Sequence, residues 1–333
     1  MTLDRVKWNK WVDAFQGRRL LVVGDMMLDR YLYGAVRRIS PEAPVPVVAV
    51  TEEQAMPGGA SNVARNVQTL GGGAAVAGVI GRDPGGVELK RCLEESGVDT
   101  AALLELADQR TTVKTRIIAE RQQVVRVDWD SGTMLNAVQE ESLCAAIERA
   151  LVTVDGVVIE DYGKGVVTQR VVSSTLKRAQ ALGLPVGYDP KDGCDLDVQG
   201  ATLATPNRKE AYSALGLPEP IGERPPLEDD GLLDVGKTLR TQWGVKLLIL
   251  TLGAQGMLLL AEDEEPFHVP TRAREVFDVS GAGDTVVATA TLALAAGASY
   301  RVAAELANLA AGIVVAQLGT APCTVAALRK QWS

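Results

Sequence analysis

Histidine is almost missing: His268 is the only one in 333 residues. That rules out a two-histidine metal site, an H-E-x-x-H helix and a paired-histidine nucleotidyl-transfer motif. Any Ser-His-Asp triad would have to rest on this single ring. It lies in the strand-like "PFHVP", where a structural role is expected. Cysteine is scarce too. Cys92, Cys144, Cys194 and Cys323 lie far apart with no C-x-x-C, so free thiols in a reducing compartment are expected rather than disulfides or a zinc cluster. Nowhere do about 18 apolar residues run uninterrupted, which excludes a sequence-evident spanning helix. The opening "MTLDRVKWNKWVDAFQGRR" lacks the apolar stretch of a secretory signal, and a cytoplasmic location is expected. Internal repeats and low-complexity tails are absent. Positive charge is in deficit, with 34 Lys and Arg against 42 Asp and Glu, a net charge of -8. This argues against nucleic acid or a membrane surface as the main partner. An anionic substrate would need the positive charge gathered in one place.

What is present reads as alternating strands and helices. "RRLLVVGD" (18–25), "AAVAGVIG" (74–81), "GVVIED" (156–161), "PVGYDP" (185–190) and "KLLILT" (246–251) are short apolar runs, the pattern of strands buried on both faces. Helix-like segments fall at about 60–70, 84–96, 137–152, 166–182, 207–215 and 230–243, and an Ala-rich stretch over 283–317 reads as two packed helices. The fold expected is α/β, three layers around a mostly parallel sheet, in a single domain over 1–333. Ligands of such sheets bind beyond the carboxyl ends of the strands. Two insertions, about 29–52 and 111–130, alternate with period two and look like antiparallel strands forming a small β-sheet lid.

"GLLDVGKT" (231–238) fits the Walker A pattern at every position. A working phosphate loop needs an apolar strand leading into it. Here Pro225 and Pro226 break any strand, and Glu228, Asp229 and Asp230 place negative charge where phosphates would sit. Leu232, Val235 and Leu239 share one helical face, so a surface helix with a solvated Lys237 is expected.

"FDVSGAGDTVVATATLALAAGA" (277–298) is a better anion site. Ser280, Gly281, Ala282 and Gly283 are small, and the helix that follows would aim its first N–H groups and its dipole at a phosphate. Asp284 at that helix start would repel an anion. It makes sense as a base that takes the proton of an attacking hydroxyl; plain N-capping explains it equally well from this stretch alone.

Asp278-Val279-Ser280-Gly281-Ala282-Gly283-Asp284 resembles the C-terminal signature of the ribokinase-like (PfkB) carbohydrate kinases. "VVGDMMLD", "PGGASNVARN" (57–66), "TPNRKEA" (205–211) and "LTLGAQGM" (250–257) match further landmarks of that family in order, from residue 19 to about 323. Within it the chain is most similar to the heptose 7-phosphate kinases of lipopolysaccharide-core synthesis, through "DRYLYGAVRRISPEAPVPVV", "TTVKTRIIAERQQVVRVD" and "EDYGKGV". The family uses no Walker A loop.

The resemblance implies an ATP-dependent kinase with Asp284 as general base and the amides of Gly281, Ala282 and Gly283 as anion hole. Asp278 and Ser280 would shape the loop and help hold a monovalent cation such as K+. Asp25, Gly58, Gly59 and Asn62 would meet the sugar. Asn207 and Glu210 would face the nucleotide, Glu210 holding Mg2+ through water, although a capping-box pair fits the same spacing. Thr251, Gly253, Gly256 and Asn308 would line the ATP groove. Because a heptose 7-phosphate carries a phosphate, a basic clamp is expected among Lys114, Arg116, Arg121, Arg126, Lys164 and Lys191, with Arg116, Lys164 and Lys191 preferred. The lid strands would pair two subunits into a homodimer. The alternatives are a kinase of another sugar or sugar phosphate, and a non-catalytic sugar- or nucleotide-binding regulator on the same fold.

Overall fold

The computed structural model describes residues 5–120, 122–130, 134–193, 196–222, 224–273, 277–317, 319 and 321–331. Arg121 and Cys194 lie outside them. In chain order the elements are α1 (Arg5–Ala14), β1 (Arg19–Gly24), β2 (Met26–Ile39), β3 (Pro46–Gly59), α2 (Ala60–Thr69), β4 (Gly73–Gly81), α3 (Pro84–Glu95) and β5 (Asp99–Leu106). Then come β6 (Thr112–Ala119), β7 (Gln122–Trp129), α4 (Ala137–Leu151), β8 (Gly156–Glu160), α5 (Gln169–Ala181), β9 (Val186–Asp189), β10 (Leu203–Ala204) and α6 (Arg208–Ala214). The last third holds α7 (Asp230–Trp243), β11 (Leu247–Thr251), β12 (Met257–Ala261), β13 (Phe267–Val269), α8 (Ala282–Ala295), α9 (Tyr300–Val314) and α10 (Val325–Lys330).

Nine strands form the main sheet, in the order β13-β12-β11-β10-β9-β8-β1-β4-β5. The run from β11 to β5 is parallel, while β12 and β13 add antiparallel strands at one edge. Alternation along each strand divides the apolar side chains between two cores. Leu21 and Val23 face one core with Leu248 and Leu250, packed under α4, α5 and α7. Leu20 and Val22 face the other with α1, α2, α8 and α9, and Leu247 and Ile249 extend that layer. A three-layer α/β/α fold follows, because a sheet apolar on both faces needs helices on both. The strands expected at 18–25, 74–81, 156–161, 185–190 and 246–251 all form, and 283–317 is indeed two packed helices, α8 and α9.

The lid is a four-stranded sheet, β3-β2-β6-β7. Two antiparallel hairpins, β2/β3 and β6/β7, are joined by a parallel pairing of β2 with β6 that runs from Met27 opposite Thr112 to Gly34 opposite Ala119. The antiparallel strands expected form within each hairpin, and the pairing that joins the hairpins is parallel. Each insertion makes its own hairpin, and both leave the main sheet in the same direction, so their inner strands meet parallel.

The Walker-like stretch lies within α7. Leu232, Val235 and Leu239 are buried and Lys237 is exposed. Asp229 caps the helix by accepting from the Leu232 N–H at 3.0 Å.

Candidate active site

The carboxyl ends of β1, β8, β9, β10 and β11 converge on the N-terminus of α8. Gly281 caps that helix in the left-handed region, φ 77°, with no side-chain cap. A side chain there would be strained. The glycine turns the chain so that α8 starts facing the strand ends. Asp284 lies in the first turn and is buried. Its Oδ1 accepts from the Tyr162 hydroxyl at 2.7 Å, and its Oδ2 from Asn62 Nδ2 at 2.6 Å. Burial raises its carboxyl above the usual range, against the lowering effect of those two donors.

Asp284, Gly281 and Tyr162 line two cavities at once. The larger also meets Glu160, Asp189, Lys191, Asn207, Glu210 and Thr251. The other lies under the lid and meets Met27, Asp29, Gly59, Lys114, Arg116 and Ser280. A carboxylate set between two cavities, one acidic-rimmed and one roofed by a basic strand, can take a proton from a group in one while a group in the other reacts with it.

Most of the expected residues come together, with changes of role. Of the three amides assigned to the anion hole, Ala282 N–H is turned to the Val279 carbonyl at 3.2 Å. The N–H groups of Gly281 and Gly283 stay free among the described residues. Asp278 accepts from Ser280 N–H at 2.9 Å and Gly319 N–H at 3.0 Å. Burial would raise this carboxyl, but those backbone donors prevail and it sits below its ordinary value.

Asp25 lines neither of these two cavities and faces a small recess instead. It is buried and accepts three backbone N–H groups, from Tyr162 at 2.8 Å, Lys164 at 3.0 Å and Val166 at 3.1 Å. Its side chain moulds the 162–166 loop, a structural role beside the expected sugar contact. Burial nonetheless holds its pKa up despite those bonds. Besides Asp284, Asp29 lines the lid cavity, bonded by Arg116 at 2.6 Å. It lies diagonally across the β2/β3 ladder from Gly58, where a Cβ would lie 2.5 Å from Asp29 Oδ2. Gly59 lines the same cavity.

Asn207 and Glu210 form a capping box: Asn207 Oδ1 accepts Glu210 N–H at 2.9 Å and Glu210 Oε2 accepts Asn207 N–H at 2.8 Å. Both still line the larger cavity beside Thr251. Gly253, Gly256 and Asn308 do not. Gly253 starts the turn after β11; a Cβ on Gly256 would lie 2.1 Å from the Val269 carbonyl, and Asn308 holds the Pro270 carbonyl at 2.8 Å. Gly256 and Asn308 brace the turn behind the cavity.

The preferred basic residues are dispersed. Arg116 is in the lid cavity, Lys191 in the larger one, and Lys164 pairs with Asp130 at 2.8 Å at the rim of a small recess holding Asp25 and Arg110. Arg126, opposite Arg116 across the β6/β7 hairpin, is exposed and bonded to Asp128 at 2.8 Å. His268 is half-buried and meets the Gln255 carbonyl at 2.6 Å, a structural contact.

Four site residues carry no signal that the sequence alone makes plain. Tyr162 and Asp29 sit inside "EDYGKGV" and "DRYLYGAVRRISPEAPVPVV" without standing out there. Glu160 and Asp189 end β8 and β9, opposite one another in register. Glu160 is buried and neither of its carboxylate oxygens has a hydrogen-bond partner. Burial, then the neighbouring Asp189 and Asp284, raises it well above the usual range. Burial likewise pushes Asp189 up to about 8, although Thr205 donates to it. Among the described residues no cluster of three or more His, Cys, Asp or Glu is built to cage an ion. Mg2+ needs few protein ligands, and the orphaned oxygens of Glu160, with Asp189 and Glu210 around one cavity, fit a hydrated cation carried in by a nucleotide.

This fold with an aspartate at a glycine-capped helix start defines a sugar-phosphorylating enzyme of the ribokinase-like class. The chain belongs to the pfkB family of carbohydrate kinases, which residues 18–327 match. It is 47% identical over 317 residues to the bifunctional protein HldE of Caulobacter vibrioides, covering 95% of this chain and 63% of that one. It is 48% identical over 308 residues to HldE of Caulobacter sp., covering 92% and 61%. The chain thus spans about three fifths of the length of these curated relatives. Escherichia coli phosphofructokinase-2, solved with potassium, superposes with a TM-score of 0.75 at 22% identity, over 95% of this chain and 98% of that one. Arabidopsis thaliana ribokinase, complexed with ribose and ATP, gives 0.72 at 19%, over 95% and 99%. At such identities these two likenesses speak for the fold.

Proposed function

We propose that the chain is one kinase domain, with the four-stranded sheet as its lid, that transfers the γ-phosphoryl group of ATP to the anomeric C1 hydroxyl of D-glycero-D-manno-heptose 7-phosphate. The product is the 1,7-bisphosphate, an intermediate toward ADP-heptose and the lipopolysaccharide core. The kinship to the HldE proteins supports the sugar, and the position of Asp284 between two cavities carries the chemistry.

The sugar occupies the lid cavity with its C1 hydroxyl at Asp284, and ATP occupies the larger one. Asp284 takes the hydroxyl proton as the oxygen attacks the γ-phosphorus. The bond to the bridging β,γ-oxygen breaks and ADP leaves with that electron pair. The free N–H groups of Gly281 and Gly283, at the positive end of α8, neutralise the transferred group. Such transfer depends mainly on positioning and charge stabilisation. Mg2+, near Glu160, Asp189 and Glu210, would screen the phosphate charge when bound, and K+ beside the 278–280 loop fits the same reading. Lys191 stands on the nucleotide side. A cytoplasmic homodimer through the lid completes the proposal, supported by Val125, Val127 and Trp129, exposed along the edge strand β7.

A coupled ADP-release assay with heptose 7-phosphate, ribose, fructose 6-phosphate and adenosine tests the substrate. Turnover is expected to favour heptose 7-phosphate. A preference for any of the others reassigns the sugar, and no ADP release with any of them overturns the kinase reading.

A further inference from the structure

The strand β6 presents Lys114 and Arg116 on one face, two residues apart. Lys114 stands opposite Asp29 on β2 and Asp128 on β7. Each carboxylate around it is already engaged. Asp29 binds Arg116 at 2.6 Å, Asp128 binds Arg126 at 2.8 Å, Asp130 binds Lys164 at 2.8 Å, and Asp284 holds Tyr162 and Asn62. Lys114 alone among these cations forms no ion pair among the described residues. It is half-buried, with its Nζ 5.5 Å from the centroid of the Tyr162 ring. The hydroxyl at the far end of that same ring reaches Asp284.

A half-buried ammonium without a counter-ion is costly, and burial pulls its pKa down, helped by Lys164 and opposed by Asp29. The cavity it lines also holds Asp29, already paired with Arg116, and Asp284, but not Glu160, Asp189 or Glu210 of the larger cavity. Its missing partner is therefore an anion brought by whatever occupies the sugar side.

We infer that Lys114 is the anion subsite of the acceptor, binding the phosphate monoester at the end of the sugar away from the reacting hydroxyl. This rests on the reading of the acceptor as a phosphorylated sugar. Arg116 then serves to fix the lid strands, since Asp29 holds its guanidinium and the Tyr31 ring centroid lies 5.3 Å from it. The Lys114 ammonium is left for the phosphate because no carboxylate among the described residues pairs with it.

The test compares kcat/KM for heptose 7-phosphate with that for the unphosphorylated heptose, in the wild type and in K114M, K114R and K164M. Taking the ratio on one preparation cancels any loss of folded protein. In K114M the preference for the phosphorylated sugar should fall about 10- to 100-fold, the worth of a hydrogen bond between charged groups, with the change mainly in KM. K114R should restore most of it. A preference that survives K114M, or that vanishes only in K164M, overturns the subsite while leaving the kinase reading intact. A wild type with no preference for the phosphorylated sugar overturns both.

Discussion

The Tyr162 hydroxyl donates to Asp284 Oδ1 at 2.7 Å, and both residues line both cavities. With Asn62 on the other oxygen, the base is held by two donors before any acceptor arrives. A donor to the charged form lowers a carboxyl's pKa. Burial has already raised Asp284, and in the proposed mechanism the ionised form is the active one, so kcat/KM should fall as pH drops through a value above the ordinary ~3.9 of an aspartate. In Tyr162→Phe one stabilising donor is gone, the pKa climbs further, and that acid limb should move to higher pH. The pH profile of kcat/KM checks this; a limb that stays in place shows that the phenol does not tune the base.

Asp284→Asn keeps the shape and removes the proton acceptor. The expected loss in kcat is on the order of 10²–10⁴, with Tm equal to or above that of the wild type, because a buried charge has been taken away. Steady-state kinetics and a thermal melt on the same sample check both halves.

Asp25→Ala should behave in the opposite way. Three backbone N–H groups lose their acceptor, at about 1–3 kcal/mol for each one left buried and unpaired. Stability should drop, and kcat should fall with it because Tyr162 rides on the same loop. Denaturant titration beside the kinetics separates this from the Asp284 variant.

Lys237→Ala in the Walker-like segment should leave turnover as it is and shift stability by no more than about 0.5 kcal/mol. Gly236→Ala, one residue earlier, should destabilise clearly, since its Cβ would stand 2.6 Å from the Leu260 side chain. An ADP-release assay and melts of both variants decide.

The main sheet is legible in the sequence because its strands are apolar on both faces and their ends carry Gly or Asp, and the signature around Ser280–Asp284 points to the base. Pairing between distant segments leaves no such mark. Nothing in the periodicity of 29–52 or 111–130 says that Met27 lies beside Thr112. The charged and aromatic residues of α1 hide its helical repeat, and β5, β12 and α10 are faint beside stronger elements. Asp25 attracts attention as the first acid after a strand, yet the neighbouring backbone claims its oxygens. Asp29, further along the same chain into β2, reaches the cavity instead. Lys191 and Lys164 carry the right charge, but strand order sends them to different rooms of the site.

One residue, Asp25, separates β1 from β2, and none separates β3 from α2, the helix that bears Asn62. Gly59 is the joint there, at φ 54°, and a Cβ on it would lie 2.8 Å from the Asp25 carbonyl oxygen. The four-stranded sheet over the cavity is thus no flap on a slack stalk; it is joined directly to the floor. With no slack residue at either joint, the placement of β2 and β3 and that of Asn62 beside Asp284 are fixed through one tight contact, Gly59 against the Asp25 carbonyl.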